Sequence, residues 1–207
     1  MPSDYSSSPS PIRVDQVVAA VRELFRRYGY RRTSVDDIAR EAGISKATLY
    51  LHFASKEEMF RAMTRQFREV VIARCRAAEA SADPVETRIV ELLYAGYGTA
   101  LEWFGDAAHI RELKSVAAEQ PLDAAGDDRS AFRERLERLL RTAQAAGEIE
   151  LAARGASAKE VAAALMFAAH GAKLAQRDGA EGFREAAASI VRLVVGPLRA
   201  PAPASSP

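Results

Sequence analysis

The sequence predicts an all-α fold, and three observations carry that prediction. Helix formers dominate the composition, and only 12 Gly and 9 Pro interrupt 207 residues. Apolar residues recur at the three-and-four spacing of a helix from Val14 to Val195. No alternating apolar–polar run of strand length competes with that pattern. Residues 1–11 and 199–207 are rich in Pro, Ser and Ala and read as disordered tails.

Val14, Val17, Val18, Val21, Leu24, Phe25 and Tyr28 make the stripe of a first helix, ended by Gly29. Ser34 caps a second helix, Val35 to Ala42, with Asp37 three residues on to complete a capping box. Gly43 stops it where a positive φ is needed, and Ile44 pins the turn. Ser45 then caps a third helix, Lys46 to about His52, with Ile38, Ala39, Leu49 and Phe53 turned inward across the pair. Residues 12–58 thus form a three-helix bundle.

Ser55 and Glu58 start a long fourth helix with the stripe Met59, Phe60, Met63, Phe67, Val70 and Val71, running to about Ala80. Asp83-Pro84 opens a fifth, to Phe104, interrupted in character by Gly96 and Gly98, whose neighbours Tyr94 and Tyr97 hint at loosened packing. A shorter helix spans Ala107 to Glu119, and Pro121 to Asp128 is the most loop-like internal segment. Ser130 to Ala146 is helical and stops at Gly147. Ser157 with Glu160 caps a helix to about Arg177, and the last runs Glu181 to Val195. Residues 59–198 are therefore a second helical domain, with about nine helices in the chain.

Composition narrows the function classes. A formal net charge of +1 excludes a globally basic nucleic-acid coat, so any DNA affinity must be local. Arg22, Arg26, Arg27, Arg31 and Arg32 stand against the single Glu23, either as a cationic cluster or as the solvated face of the first helix. The single cysteine excludes an internal disulfide and fits a reducing cytoplasm. Residues 1–11 lack the apolar region of a signal peptide, and no run of about 18 apolar residues predicts a membrane span. No nucleophile elbow, Walker loop or dinucleotide fingerprint is present. The acid pairs Asp36-Asp37 and Glu57-Glu58 fall in first helical turns, where the helix dipole explains them. No enzymatic activity, cofactor or metal is expected; His109 and His170 lack ligand spacing, and Cys75 reads as a packed side chain.

Two short helices joined by a tight Gly-containing turn are the geometry that sets a recognition helix in a major groove. Lys46, at the start of the third helix, is the candidate for reading a guanine edge, assisted by Ser45 and the methyl of Ala47. The run Thr33, Asp37-Ile38-Ala39, Ala42-Gly43, Ser45-Lys46, Thr48-Leu49-Tyr50, His52-Phe53 and Ser55-Lys56-Glu57 resembles the N-terminal domain of the TetR family of one-component bacterial transcriptional regulators. The resemblance covers roughly the first third of the chain. Ala47 departs from it, since many members carry Gly or Pro there.

The resemblance implies that Thr33, Thr48, Tyr50, His52 and Lys56 touch phosphates, and completes a DNA-binding set of Thr33, Ser34, Ser45, Lys46, Ala47, Thr48, Tyr50, His52 and Lys56. It implies a small apolar or amphipathic ligand enclosed in the C-terminal domain. Met63, Phe67, Tyr94, Tyr97, Trp103, Phe104, His109, Phe132, Met166, Phe167 and His170 are the candidates, and ordinary core packing is the other reading of each. It also implies a homodimer through the last two helices, where Ala164, Ala168, Gly171 and Ala172 allow close approach and Ile190, Val191 and Val194 pack; close packing within one chain is the alternative. The expected function is that of a cytoplasmic repressor released from a palindromic DNA operator by a small molecule. Two rivals remain: a DNA-binding protein without a ligand, and a helical small-molecule carrier with a vestigial DNA module.

Overall fold

A computed structural model describes residues 14–105, 107–119, 128–152, 155–175 and 178–200. The segments 1–11, 121–127 and 201–207, expected as tail, loop and tail, lie outside the described residues. The chain divides into two compact units, Met1–Gln66 and Phe67–Pro207; the sequence pattern had suggested a boundary after residue 58.

The first unit holds α1 (Val14–Tyr28), α2 (Val35–Glu41), α3 (Lys46–His52) and the start of α4 (Lys56–Ala80). Its core joins Val17, Val21 and Phe25 of α1 to Ile38, Leu49, Met59 and Phe60, all at most 2% exposed. Each such side chain contributes about 1.5–3 kcal/mol by leaving water. Phe25, Tyr30 and Phe60 form a mutual aromatic cluster with ring centroids 5.1–6.4 Å apart. The α1 stripe is shorter than its sequence pattern: Val14 and Tyr28, at its two ends, are 47% and 48% exposed.

In the second unit α5 (Val85–Leu93), a π-helical segment (Tyr94–Gly98) and α6 (Thr99–Phe104) form one uninterrupted rod. It is followed by α7 (Ala107–Glu119), α8 (Asp128–Ala145), α9 (Ala158–Ala175), α10 (Gly179–Val194) and a 3₁₀ turn, Gly196–Leu198. Counting the rod once, the described residues hold nine helices. The two glycines of the rod mark tight packing, the opposite of what they suggested. A Cβ on Gly96 would lie 2.5 Å from the Phe132 ring, and one on Gly98 would lie 2.5 Å from Tyr94 and 3.0 Å from Phe183. The wider π turn, a single-turn bulge of the kind often found at functional sites, thus seats aromatic rings against bare backbone. Ile89, Leu92, Leu136, Leu140, Leu165 and Phe183 fill the core between the rod, α8, α9 and α10.

Arg199 and Ala200, expected to begin a tail, are instead tied down. Glu150 N–H donates to the Leu198 carbonyl at 2.7 Å and Ala200 N–H to that of Glu148 at 3.2 Å. Arg199 also pairs with Glu86. Backbone pairing with the loop after α8, invisible to local composition, explains the difference. Cys75 is 2% exposed and burial raises its thiol pKa to about 11, which removes the thiolate that redox chemistry requires. Among the described residues no helix is long and apolar enough to cross a membrane, and no cluster of three or more His, Cys, Asp or Glu is placed to hold a metal.

Candidate nucleic-acid interface

The α2–α3 pair is fixed by caps at each end. Asp37 N–H donates to Ser34 Oγ at 3.1 Å while Ser34 N–H donates to the Asp37 carboxylate at 3.1 Å, so two orphan donors of the helix start are satisfied reciprocally. The Ser34 hydroxyl, which also donates to the Asp37 carboxylate, and then the Ser34 N–H lower the pKa of that carboxyl. Gly43 takes φ +67°, and Ile44 N–H returns to the Ala39 carbonyl at 3.0 Å to close the turn. Thr48 N–H donates to Ser45 Oγ at 3.0 Å to start α3. The helix is anchored below by Leu49, fully buried, and Phe53 at 4% exposure.

This anchoring leaves an outward face. Ser45, Lys46, Ala47, Tyr50, Leu51 and His52 are exposed, with Thr48 half-buried. Lys46 Nζ pairs with Asp36 on α2 at 3.0 Å, an exposed contact that keeps the ammonium above its ordinary pKa. The Ser45 and Thr48 hydroxyls lie 2.5 Å apart and hydrogen-bond each other. Ser34 also sits at the surface, its hydroxyl donating to Asp37 at 2.6 Å.

Thr33 is a correction. Its side chain is 3% exposed and its hydroxyl donates inward to the Gly29 carbonyl at 2.8 Å, satisfying an acceptor just past the end of α1. It positions the loop, with its side chain turned away from any phosphate. Lys56 has a structural task beside any phosphate contact: Nζ donates to the Thr33 carbonyl at 2.8 Å and lies 4.1 Å from the centre of the Tyr30 ring. Tyr30 in turn donates to Glu57 at 3.1 Å. The start of α4 is thereby locked to the loop that precedes α2.

Sequence reasoning overlooked Leu51, which is 82% exposed. Its signal was present: Leu51 falls out of phase with Leu49 and Phe53, and so outside the buried stripe. Asp36, the partner of Lys46, was read only as a first-turn acid. Around α1 the cationic cluster is partly neutralised, since Glu23 binds both Arg26 and Arg27 at 2.8 Å.

The candidate ligand residues do not meet in one place. Met63 is fully buried in the first unit. Phe67 meets Trp103 edge-to-face and Phe104 at a tilt, with ring centroids 5.5 and 4.9 Å apart. A separate group gathers on the π segment: Tyr97 meets Phe132 at 5.6 Å and His170 at 6.4 Å, and Tyr94 meets Phe183 at 6.4 Å. Met166 is core, and His109 is half-buried. Phe167, expected on a ligand wall, is 68% exposed because it falls on the outer face of α9. Two open recesses in this unit, about 460 and 390 Å³, are lined around Arg88 and around Ile149, by none of these side chains. Of the candidate dimer residues, Ala164 and Gly171 are exposed, and Ala168, Ala172, Ile190 and Val194 are half-buried. Val191 is 1% exposed and packs within its own unit, since its turn of α10 faces the core.

Residues 17–63 match the family model for bacterial regulatory proteins of the tetR family. The chain is 32% identical over 119 residues to the HTH-type transcriptional repressor KstR2 of Mycobacterium tuberculosis; that match covers 57% of this chain and 59% of KstR2. Its fold is similar to a TetR transcription regulator from Haloarcula marismortui, with TM-score 0.69 and 19% identity over 90% of this chain and 97% of that one. A transcriptional regulator from Saccharomonospora viridis, solved in complex with choline, gives TM-score 0.67 and 20% identity over 88% and 96% of the two chains. The reading head of residues 17–63 thus matches that of bacterial regulatory proteins of the tetR family, and the helical fold is similar to solved TetR regulators over nearly the whole chain.

Proposed function

We propose that this protein is a sequence-specific transcriptional regulator that binds a palindromic DNA operator as a homodimer, acting in the cytoplasm as a repressor that a small molecule releases. One observation carries the DNA reading: α3 is capped, anchored by Leu49, and presents Lys46, Tyr50, Leu51 and His52 outward on a single short helix. Such a helix fits a major groove. Lys46 leaves Asp36 to donate to a guanine edge, the Leu51 methyls meet a thymine methyl, and Tyr50, His52 and Lys56 take phosphates. Phosphate contacts set register and base edges supply sequence.

A dimer is supported by α9. Ala164, Phe167, Gly171 and Leu174 recur at i, i+3, i+7 and i+10 and are all exposed, and a Cβ on Gly171 would meet nothing within 4 Å. Leu193 of α10 is 72% exposed. An apolar face with a bare backbone strip suits an isologous helix–helix contact. Release follows if the effector prefers a conformer whose reading heads no longer match successive grooves, and α4, which begins in the first unit and ends in the second, is the covalent element through which that preference acts. Reciprocal linkage then obliges operator DNA to weaken effector binding by the same factor.

The electrostatic part is tested by the salt dependence of DNA binding. Affinity for duplex DNA should fall steeply and linearly on a log–log scale, with a slope of about −0.9 for each phosphate contacted. His52→Ala and Tyr50→Phe should flatten that slope while weakening all sequences alike; a salt-independent affinity would remove phosphate contact from the account.

A further inference from the structure

The π turn of the rod is gripped from α4. At its end Thr99 N–H bonds back to the Tyr94 carbonyl, five residues away, where an α-helix would use that of Ala95. Thr99 is fully buried, and its hydroxyl donates to the same Tyr94 carbonyl at 3.3 Å. Arg74 of α4 closes on this point. Its Nη1 donates to Thr99 Oγ1 at 3.0 Å and to Glu102 Oε2 at 2.7 Å, and its Nη2 donates to Glu102 Oε1 at 3.0 Å. The Tyr94 hydroxyl donates to the same Glu102 carboxylate at 3.2 Å. The Tyr94 ring centre lies 5.8 Å from the Arg74 guanidinium and 3.9 Å from that of Arg184 on α10, which pairs with Glu91 of α5.

An isolated surface ion pair contributes little, but a bidentate arginine–carboxylate pair tied into a network is the favourable case. These contacts also depend on register. Moving the Thr99 bond from Tyr94 to Ala95 would convert the turn to α-helix and rotate the later residues of the rod by about 100°, carrying Glu102 away from Arg74. We propose that Arg74 is a positioning residue that locks the rod in its π register and, through the same contacts, fastens the C-terminal half of α4 to the rod. The π turn and α4 then form one coupled device: freeing Arg74 loosens both, and shifting the turn releases α4. Because α4 is continuous from Lys56 to Ala80, the consequence falls on the spacing of the two reading heads. That consequence rests on the regulatory reading above; the clasp itself does not.

Amide hydrogen exchange on the full-length protein tests the clasp. Arg74→Gln should speed exchange at least about tenfold across residues 99–104 of the rod, and Glu102→Gln should do the same across residues 71–78 of α4, the scale of one charge-assisted hydrogen bond. Coupling is reciprocal, so each substitution must be felt on the element that does not carry it. Arg74→Lys keeps the charge without the bidentate fork and should behave like Arg74→Gln. Should the glutamine variants misfold, Tyr94→Phe, which deletes only the hydroxyl bonded to Glu102, must speed exchange in both segments to a smaller extent. Changes confined to the substituted helix, or a lysine variant indistinguishable from wild type, overturn the clasp. The consequence is read from the gap between half-sites in duplexes selected from a random library. Wild type should recover one gap and the glutamine variants several, with base preference within each half unchanged. The same single gap from all of them overturns the link to the heads. No inverted repeat from wild type overturns the DNA reading instead, and the clasp then stands or falls by exchange alone.

Discussion

Phe167→Asp is expected to convert the proposed dimer to monomers without unfolding either unit. Phe167 is 68% exposed, so its replacement removes nothing from its own chain's core. In a two-fold contact the substitution counts twice, once from each protomer. Truncating an aromatic residue at the centre of an interface costs about 2–4 kcal/mol, and the two buried carboxylates add repulsion and desolvation. A loss of at least about 4 kcal/mol corresponds to a dimer dissociation constant raised about a thousandfold. Sedimentation equilibrium measures it, with circular dichroism to show that helicity is kept. Operator affinity should drop with it, because linking two half-site contacts supplies roughly 10²–10⁴ in avidity. A dimer of unchanged stability would move the interface off this face of α9.

The second large effect is on sequence discrimination. Lys46→Ala should relax preference at a single operator position by about 1–3 kcal/mol. In the free protein Lys46 is held 3.0 Å from Asp36, with both side chains about half exposed. A surface pair of that kind is worth only about 0–1 kcal/mol, so the fold does not depend on it and the lysine is free to exchange partners. Asp36→Asn separates the two roles: it liberates Lys46 and removes a negative charge facing DNA, so it should strengthen binding to all sequences while preserving discrimination. Competition binding with single-position operator variants reads both outcomes. Uniform weakening by Lys46→Ala would make Lys46 a phosphate contact.

What was legible in the sequence was local. Ser34 with Asp37, Gly43, Ser45 and Ser157 with Glu160 announce helix ends because each bond spans three or four residues, and all form as expected. Ser55 and Glu58 show the limit of such reasoning: Glu58 N–H reaches Ser55 Oγ at 3.3 Å, but its carboxylate takes Ala54 N–H rather than that of Ser55. The nature of the rod at Gly96 and Gly98 was not legible, because their meaning depends on Phe132 and Phe183, more than thirty residues away. Thr33 looked like a surface group until the end of α1 was seen to need its hydroxyl. Small residues on α9 suggested an interface but not its face, since Ala162 and Ala169 turn inward while Ala164 and Gly171 turn outward.

The central claim is that two copies of α3 read a two-fold DNA sequence. Selection of bound fragments from a random duplex library by the purified protein, at fixed salt, tests it most directly. The account predicts an inverted repeat whose half-sites lie about one helical turn apart, roughly 34–36 Å or a multiple of it, and loss of one base preference in each half when Lys46→Ala is used. Recovery of fragments with no shared sequence, bound with an affinity that only falls as salt rises, would contradict it.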